Sequence, residues 1–194
     1  PAVNFLSMSA TPIPRSLQLS LSKIRNLSLL SSPPKNRKPI ISSVSYFNIK
    51  IIRASILREI NRGGQIYIVD NSVNSLKKIK QKIVTLFKNI SVEIIYSSMG
   101  GSKLINVMSN FSSGKTQVLL STTIIESGID IGSSNTIIIN NAHCFGLSQL
   151  YQLRGRVGRS SSQAYAWFLI PQKHTLSTNA TKRLKAILKH TALG

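Results

Sequence analysis

The sequence predicts an α/β fold, a parallel sheet with helices on both faces, and three observations support this. From residue 40 onward, short β-branched apolar runs alternate with longer stretches whose apolar residues recur every three to four positions. At 194 residues and 42% hydrophobic, the chain has enough apolar surface to bury a core. The regular pattern begins only after Ser31-Ser32-Pro33-Pro34-Lys35-Asn36-Arg37-Lys38-Pro39, a polar, proline-rich stretch with the composition of a linker.

Each element follows from its own pattern. Ahead of the linker, Val3 to Met8 reads as a short strand, Leu17, Leu19 and Leu21 lie in a short helix, and Leu27 to Leu30 is extended. After it, Ile40 to Phe47 is strand-like. Ile49, Ile52, Ile56 and Ile60 mark an amphipathic helix that Gly63-Gly64 stops. Ile66 to Val69 is a buried strand, and Val73, Leu76, Ile79, Ile83, Leu86 and Phe87 define a second helix. Val92 to Ile95 and Val118 to Leu120 are strands on either side of a helix over Leu104 to Phe111. Ile137 to Ile139 is a strand, Leu147 to Leu153 a short helix, Ala164 to Ile170 a last strand, and Leu176 to Leu188 a closing helix. In parallel sheets of this kind ligands bind beyond the carboxyl ends of the strands, so the loops there are the places to look.

The charge is lopsided, with 25 Lys and Arg against 5 Asp and Glu, a formal net charge of +20. A polyanionic partner such as nucleic acid fits that balance, although basic composition speaks of association rather than of a site. Arg53, Arg58 and Arg62 read as one solvated helix face, and Lys77, Lys78, Lys80, Lys82 and Lys88 as another. With only Glu59, Asp70, Glu93, Glu126 and Asp130 acidic, paired-carboxylate catalysis has almost nothing to use. Cys144 is the single cysteine, which excludes an internal disulfide and a cysteine-based zinc site. No metal site is expected, and no apolar run has the length of a membrane span. Without an initial methionine or a leader pattern, the chain reads as a piece of a longer cytoplasmic protein.

Gly114-Lys115-Thr116 ends like a phosphate loop but lacks the earlier glycine, since Ser109 stands there, and it follows a helix instead of a strand. It reads as a helix-to-strand turn. Asp70 follows an apolar strand, as a magnesium-holding aspartate would, but Asn71 beside it denies an Asp-Glu pair. A surface or capping role is expected for Asp70.

The informative residues are Thr122 to Ile131 and Gln149 to Arg159. The second segment places guanidiniums on a short helix and the loop leaving it, with Gly155 and Gly158 supplying backbone freedom beside them. Arginine suits bidentate phosphate recognition and the charge of a transferring phosphoryl group. Supplied to a nucleotide held by another domain, it acts as an arginine finger. A basic, DNA-facing helix end is the other reading of the same residues.

Gln152-x-x-Gly155-Arg156-x-Gly158-Arg159 resembles the sixth motif of superfamily-two helicases and translocases. Thr122 to Asp130 resembles their fifth, and Ser9-Ala10-Thr11 their third. Ser9-Ala10-Thr11-Pro12-Ile13-Pro14-Arg15 is similar to the branch that holds the transcription-repair coupling factors and RecG. Asn135 to Ile139, Phe145-Gly146-Leu147 and Gln163 to Trp167 resemble the coupling factors. The chain departs from them at Tyr96-Ser97-Ser98-Met99, where they have a His-Gly-Gln-Met-like segment.

The resemblance implies a RecA-like second helicase lobe over 40–171 and the tail of the first lobe over 1–30, joined by the linker 31–39. Residues 172–194 would begin a helical hairpin that couples ATP turnover to movement of duplex. It further implies ATP and Mg2+ as cofactors, the metal held mainly by the first lobe, and double-stranded DNA as partner. RNA polymerase and excision-repair proteins would be met through other regions. Arg159 and Arg156 would contact the γ-phosphate, Gln152 orient their loop, and Gly128 and Asp130 line the nucleotide cleft. Thr122 and Thr123 would touch the DNA backbone, and Ser9 and Thr11 relay nucleotide state between lobes. The activity implied is an ATP-dependent translocase that displaces stalled RNA polymerase and recruits excision repair, with these 194 residues inactive alone for want of a phosphate loop. A RecG-like branch-migrating helicase and a decayed, non-catalytic nucleic-acid-binding remnant are the alternatives.

Overall fold

A computed structural model describes residues 38–123, 134–159, 161–172 and 175–189. The elements expected ahead of residue 38 lie outside these. The described chain runs β1 (Ile41–Tyr46), α1 (Ile49–Asn61), β2 (Gln65–Val69), α2 (Val73–Leu86), β3 (Val92–Ile95), α3 (Gly101–Ser112), β4 (Val118–Ser121), β5 (Ser134–Ile139), α4 (Leu147–Arg154), β6 (Tyr165–Ile170) and α5 (Thr178–Lys189), with a 3-10 turn at Ala142–Cys144. The six strands form one sheet in the order β1-β6-β5-β2-β4-β3, and every pairing is parallel.

Local chemistry explains the boundaries. Asn48 caps α1 by accepting from the Lys50 amide at 2.9 Å, and Ser72 caps α2 by accepting from the Ser75 amide. The α3–β4 connection is the turn expected at Gly114-Lys115-Thr116, where Gly114 takes a φ of +78° open to glycine.

The central strands are apolar on both faces because both are covered. Tyr67 and Val69 of β2 join a core with Phe111 of α3, Leu150 and Leu153 of α4 and Leu184 and Ile187 of α5. Ile66 and Ile68 point the other way, onto Ile52 and Ile56 of α1 and Leu76, Ile79 and Ile83 of α2. Burying each such side chain contributes about 1.5–3 kcal/mol.

Two expectations about charged residues need correction. The arginines of α1 are not merely a solvated face. Glu59 is 1% exposed and accepts from Arg62 Nε at 2.7 Å, Arg62 Nη2 at 2.5 Å and the Thr136 hydroxyl. Arg62 Nη1 also donates to the Gln163 carbonyl at 2.7 Å, and the Arg58 guanidinium lies 4.1 Å over the Tyr165 ring. Arg62→Ala is expected to destabilise the fold by about 3 kcal/mol, because it strands a buried carboxylate. Urea unfolding checks this, and a loss under about 1 kcal/mol would place the pair among ordinary surface bridges.

Asp70 is not at the surface either. It is fully buried and accepts from the Ser72 amide at 3.0 Å, the Ser75 hydroxyl at 2.6 Å, Asn140 Nδ2 at 2.5 Å and Asn141 Nδ2 at 3.2 Å. It fastens the start of α2 to the end of β5. Ser72 and Ser75 are local partners, as a capping role implies, but Asn140 and Asn141 come from about 70 residues away and were not visible in the local pattern.

Candidate functional site

β4 ends at Ser121, and Thr122 continues from it with its amide donating to the Ile95 carbonyl at 3.3 Å. The Thr122 hydroxyl is buried and has no partner, whereas Thr123 is half-buried. Gly128 and Asp130 on the following segment, like Ser9 and Thr11, lie outside the described residues.

The arginine segment is anchored by its apolar residues. Leu150, Leu153 and Val157 are buried in the core beside β6 and α5, which leaves Gln152 and Arg156 half-buried and Arg159 exposed. The two glycines differ. Gly155 has a helical φ of −67°, and a Cβ there would meet only the Tyr151 and Gln152 carbonyls at ordinary contact. It supplies no special backbone freedom, contrary to expectation. Gly158 has a φ of +77°, and a Cβ there would meet Ala164 Cβ at 3.1 Å and Ile40 Cγ1 at 3.2 Å. Gly158 alone turns the chain between Arg156 and Arg159 and lets it pass close to the starts of β1 and β6.

Tyr67 of β2 is fully buried beside β4, which its place in an apolar run did not announce. Its hydroxyl is buried without a hydrogen-bond partner. The nearby Ser121 hydroxyl donates instead to the Thr122 carbonyl. Burial pushes the Tyr67 phenol far up, opposed in smaller measure by the Ser121 hydroxyl and the Arg156 charge.

Arg154 is directed away from this loop. It is 7% exposed, and its Nη1 donates to the Ile187 carbonyl of α5 at 2.9 Å while the guanidinium lies 4.9 Å from the Tyr151 ring centre. Arg183 of α5 donates in return to the His143 carbonyl at 2.8 Å. One residue, Gly155, separates Arg154, which holds the last helix, from the half-buried Arg156. Among the described residues no group of three or more His, Cys, Asp or Glu could hold a metal ion, and no helix is long and apolar enough to cross a membrane.

Known proteins match this architecture. The transcription-repair-coupling factor of Myxococcus xanthus is 44% identical over 192 residues, which cover 99% of this chain and 16% of that protein. That of Escherichia coli strain K12 is also 44% identical over 192 residues, 99% of this chain and 17% of its length. The chain thus spans about a sixth of the length of each of these two relatives. Among solved structures, RecG bound to a three-way DNA junction superposes with a TM-score of 0.78 at 30% identity, covering 95% of this chain and 25% of that one. Yeast Dbp5 bound to Gle1 and IP6 shares the fold at a TM-score of 0.64 and 17% identity, covering 94% of this chain and 46% of that one. These neighbours make the sheet a RecA-like helicase lobe, as its motifs implied. Residues 48–161 match the helicase conserved C-terminal domain, and the chain belongs to that family.

Proposed function

We propose that the whole protein carrying this chain is an ATP-dependent translocase on double-stranded DNA that displaces stalled RNA polymerase and recruits excision repair. The observation that carries this reading is the arginine segment of Gln152 to Arg159, anchored in the core by Leu153 and Val157 and fastened through Arg154 to α5. Identity of 44% to coupling factors over nearly the whole chain supports the choice within the family.

In this reading residues 40–171 are the second RecA-like lobe, 1–30 the tail of the first, and 172–194 the start of a coupling hairpin. ATP supplies the phosphoryl group whose transfer to water drives movement. The described residues fit such a ligand through their cations: Arg159, exposed on the loop after Gly158, and Arg156 beside it neutralise phosphate charge, and Gln152 on α4 orients them. Gly128 and Asp130 complete the nucleotide cleft, and Thr122 and Thr123 bond the DNA backbone without reading bases. Ser9 and Thr11 carry the nucleotide's state across the lobes. Mg2+ is held mainly by the first lobe, and the protein works in the cytoplasm.

Arg154 divides hydrolysis from movement. Arg154→Ala removes the link to the Ile187 carbonyl and leaves Arg156 and Arg159 in place. The whole protein is expected to keep most of its DNA-stimulated ATPase rate while its displacement of a stalled polymerase falls at least about tenfold, an effect on the scale of one charge-assisted bond. Equal loss of both activities would place Arg154 in the hydrolytic machinery or in folding.

The 194-residue chain itself is expected to bind duplex DNA without sequence preference. Its +20 charge releases counterions, so the binding constant should fall at least about tenfold between 50 and 200 mM salt. A titration repeated at several salt concentrations checks this, and a flat response counts against it.

The similarity to RecG at 30% identity sustains one further reading, a branch-migrating helicase with the same motor. Parallel assays on the whole protein separate them: release of a stalled polymerase supports the coupling factor, and regression of a model fork without that release supports the alternative.

A further inference from the structure

A groove of about 590 Å³ lies at the carboxyl edge of the sheet, lined by Phe47 and Asn48 after β1, Asn140 and Asn141 after β5, Pro171 and Gln172 after β6, and Ser75, Lys78 and Lys82 of α2. The arginine loop is elsewhere. Gly158 approaches Ile40 and Ala164, just before β1 and β6 begin, whereas the groove starts where those two strands end. Six paired residues separate them, about 20 Å at the rise of a strand.

The groove has a definite polarity. Buried Asp70 takes the amide nitrogens of Asn140 and Asn141, at 2.5 and 3.2 Å, and the Asn140 nitrogen is also 3.3 Å from the Ser75 hydroxyl. With the nitrogens committed to Asp70, the side-chain carbonyl oxygens of Asn140 and Asn141, both lining residues, are the groups left to accept hydrogen bonds. Lys78 and Lys82 stand one helical turn apart, both exposed on the α2 wall. Phe47 offers a half-buried aromatic ring, with Lys82 Nζ 5.4 Å from its centre. Among the described residues no carboxylate lines the groove.

Acceptors at the two asparagines, an aromatic at one end and cations on the wall complement a planar group bearing N–H donors joined to a phosphate. The volume suits a small molecule. A duplex backbone would meet the lysines but would leave the asparagine amides unused. We propose that this groove is a second ligand site, separate from the arginine loop, that takes a nucleoside monophosphate whose base carries an exocyclic amino group.

The test uses the 194-residue chain, calorimetric titration and amide chemical-shift mapping with AMP, IMP, inorganic phosphate and a short duplex. AMP is expected to bind saturably and to shift amides at Phe47–Ile49, Ser75–Lys82 and Asn140–Asn141. Inorganic phosphate and IMP should bind at least about tenfold more weakly, each having lost one set of hydrogen bonds. Lys78→Ala with Lys82→Ala should weaken AMP at least about tenfold without changing thermal unfolding, since both side chains are exposed, and Arg159→Ala should leave AMP binding as it was. Equal response to AMP and inorganic phosphate, shifts confined to Gln152–Arg159, competition by duplex for the same amides, or no saturable AMP binding would each overturn the proposal.

Discussion

Arg159→Ala in the whole protein is expected to lower the maximal rate of ATP hydrolysis by about 10³–10⁵, the worth of an arginine finger in phosphoryl transfer. Nucleotide and DNA binding should stay within a few-fold of the parent. A finger stabilises charge that develops during transfer, so its removal raises the barrier more than it weakens the ground state. Arg159→Lys should recover little, because an ammonium does not reproduce the planar two-pronged fork. If Arg159 instead touches the DNA backbone, its loss weakens DNA binding and leaves turnover near normal at saturating DNA. Measuring both quantities on one variant separates the two, and a normal maximal rate would remove Arg159 from the reacting phosphate.

Gly158→Val is expected to destabilise the fold by about 2–6 kcal/mol, and Gly155→Ala by little. At a φ of +77° a β-branched residue is strained by about 1–3 kcal/mol, and its Cβ falls 3.1 Å from Ala164 Cβ and 3.2 Å from Ile40 Cγ1. Overpacking of this kind adds about 1–3 kcal/mol. At Gly155 the backbone is already helical, so alanine enters at ordinary contact distance. Urea unfolding of the two variants gives the comparison. In the whole protein Gly158→Val should also lower ATPase activity, since the loop it displaces carries Arg156 and Arg159. Equal effects of the two substitutions would show that the loop is held by something other than the backbone at Gly158.

The order and type of every described strand and helix after the linker were legible in the sequence, because a central strand such as Ile137-Ile138-Ile139 and an amphipathic helix such as Ile49 to Ile60 differ in apolar period. The arginine loop was legible too, since its residues are contiguous. Glu59, Asp70 and Tyr67 were not. Glu59 and Asp70 depend on partners far along the chain, Thr136 for Glu59 and Asn140 and Asn141 for Asp70, and Tyr67 buries its hydroxyl where the pattern shows only an apolar strand. Periodicity reports which face a residue occupies and nothing about what crosses to meet it.

The sequence by itself therefore determined the parallel α/β architecture, the basic character and the segment that carries the candidate chemistry, because local period, composition and contiguous motifs are properties of neighbours along the chain. Only the tertiary structure decided which of the two glycines is irreplaceable and that Arg154 serves α5. Only it showed that the chain's scarce carboxylates at Glu59 and Asp70 are buried as fasteners. These outcomes rest on strand order, which brings β5 beside β2 and β6 beside β1. Crossover connections set that order through packing of whole elements, and no short window of residues contains it.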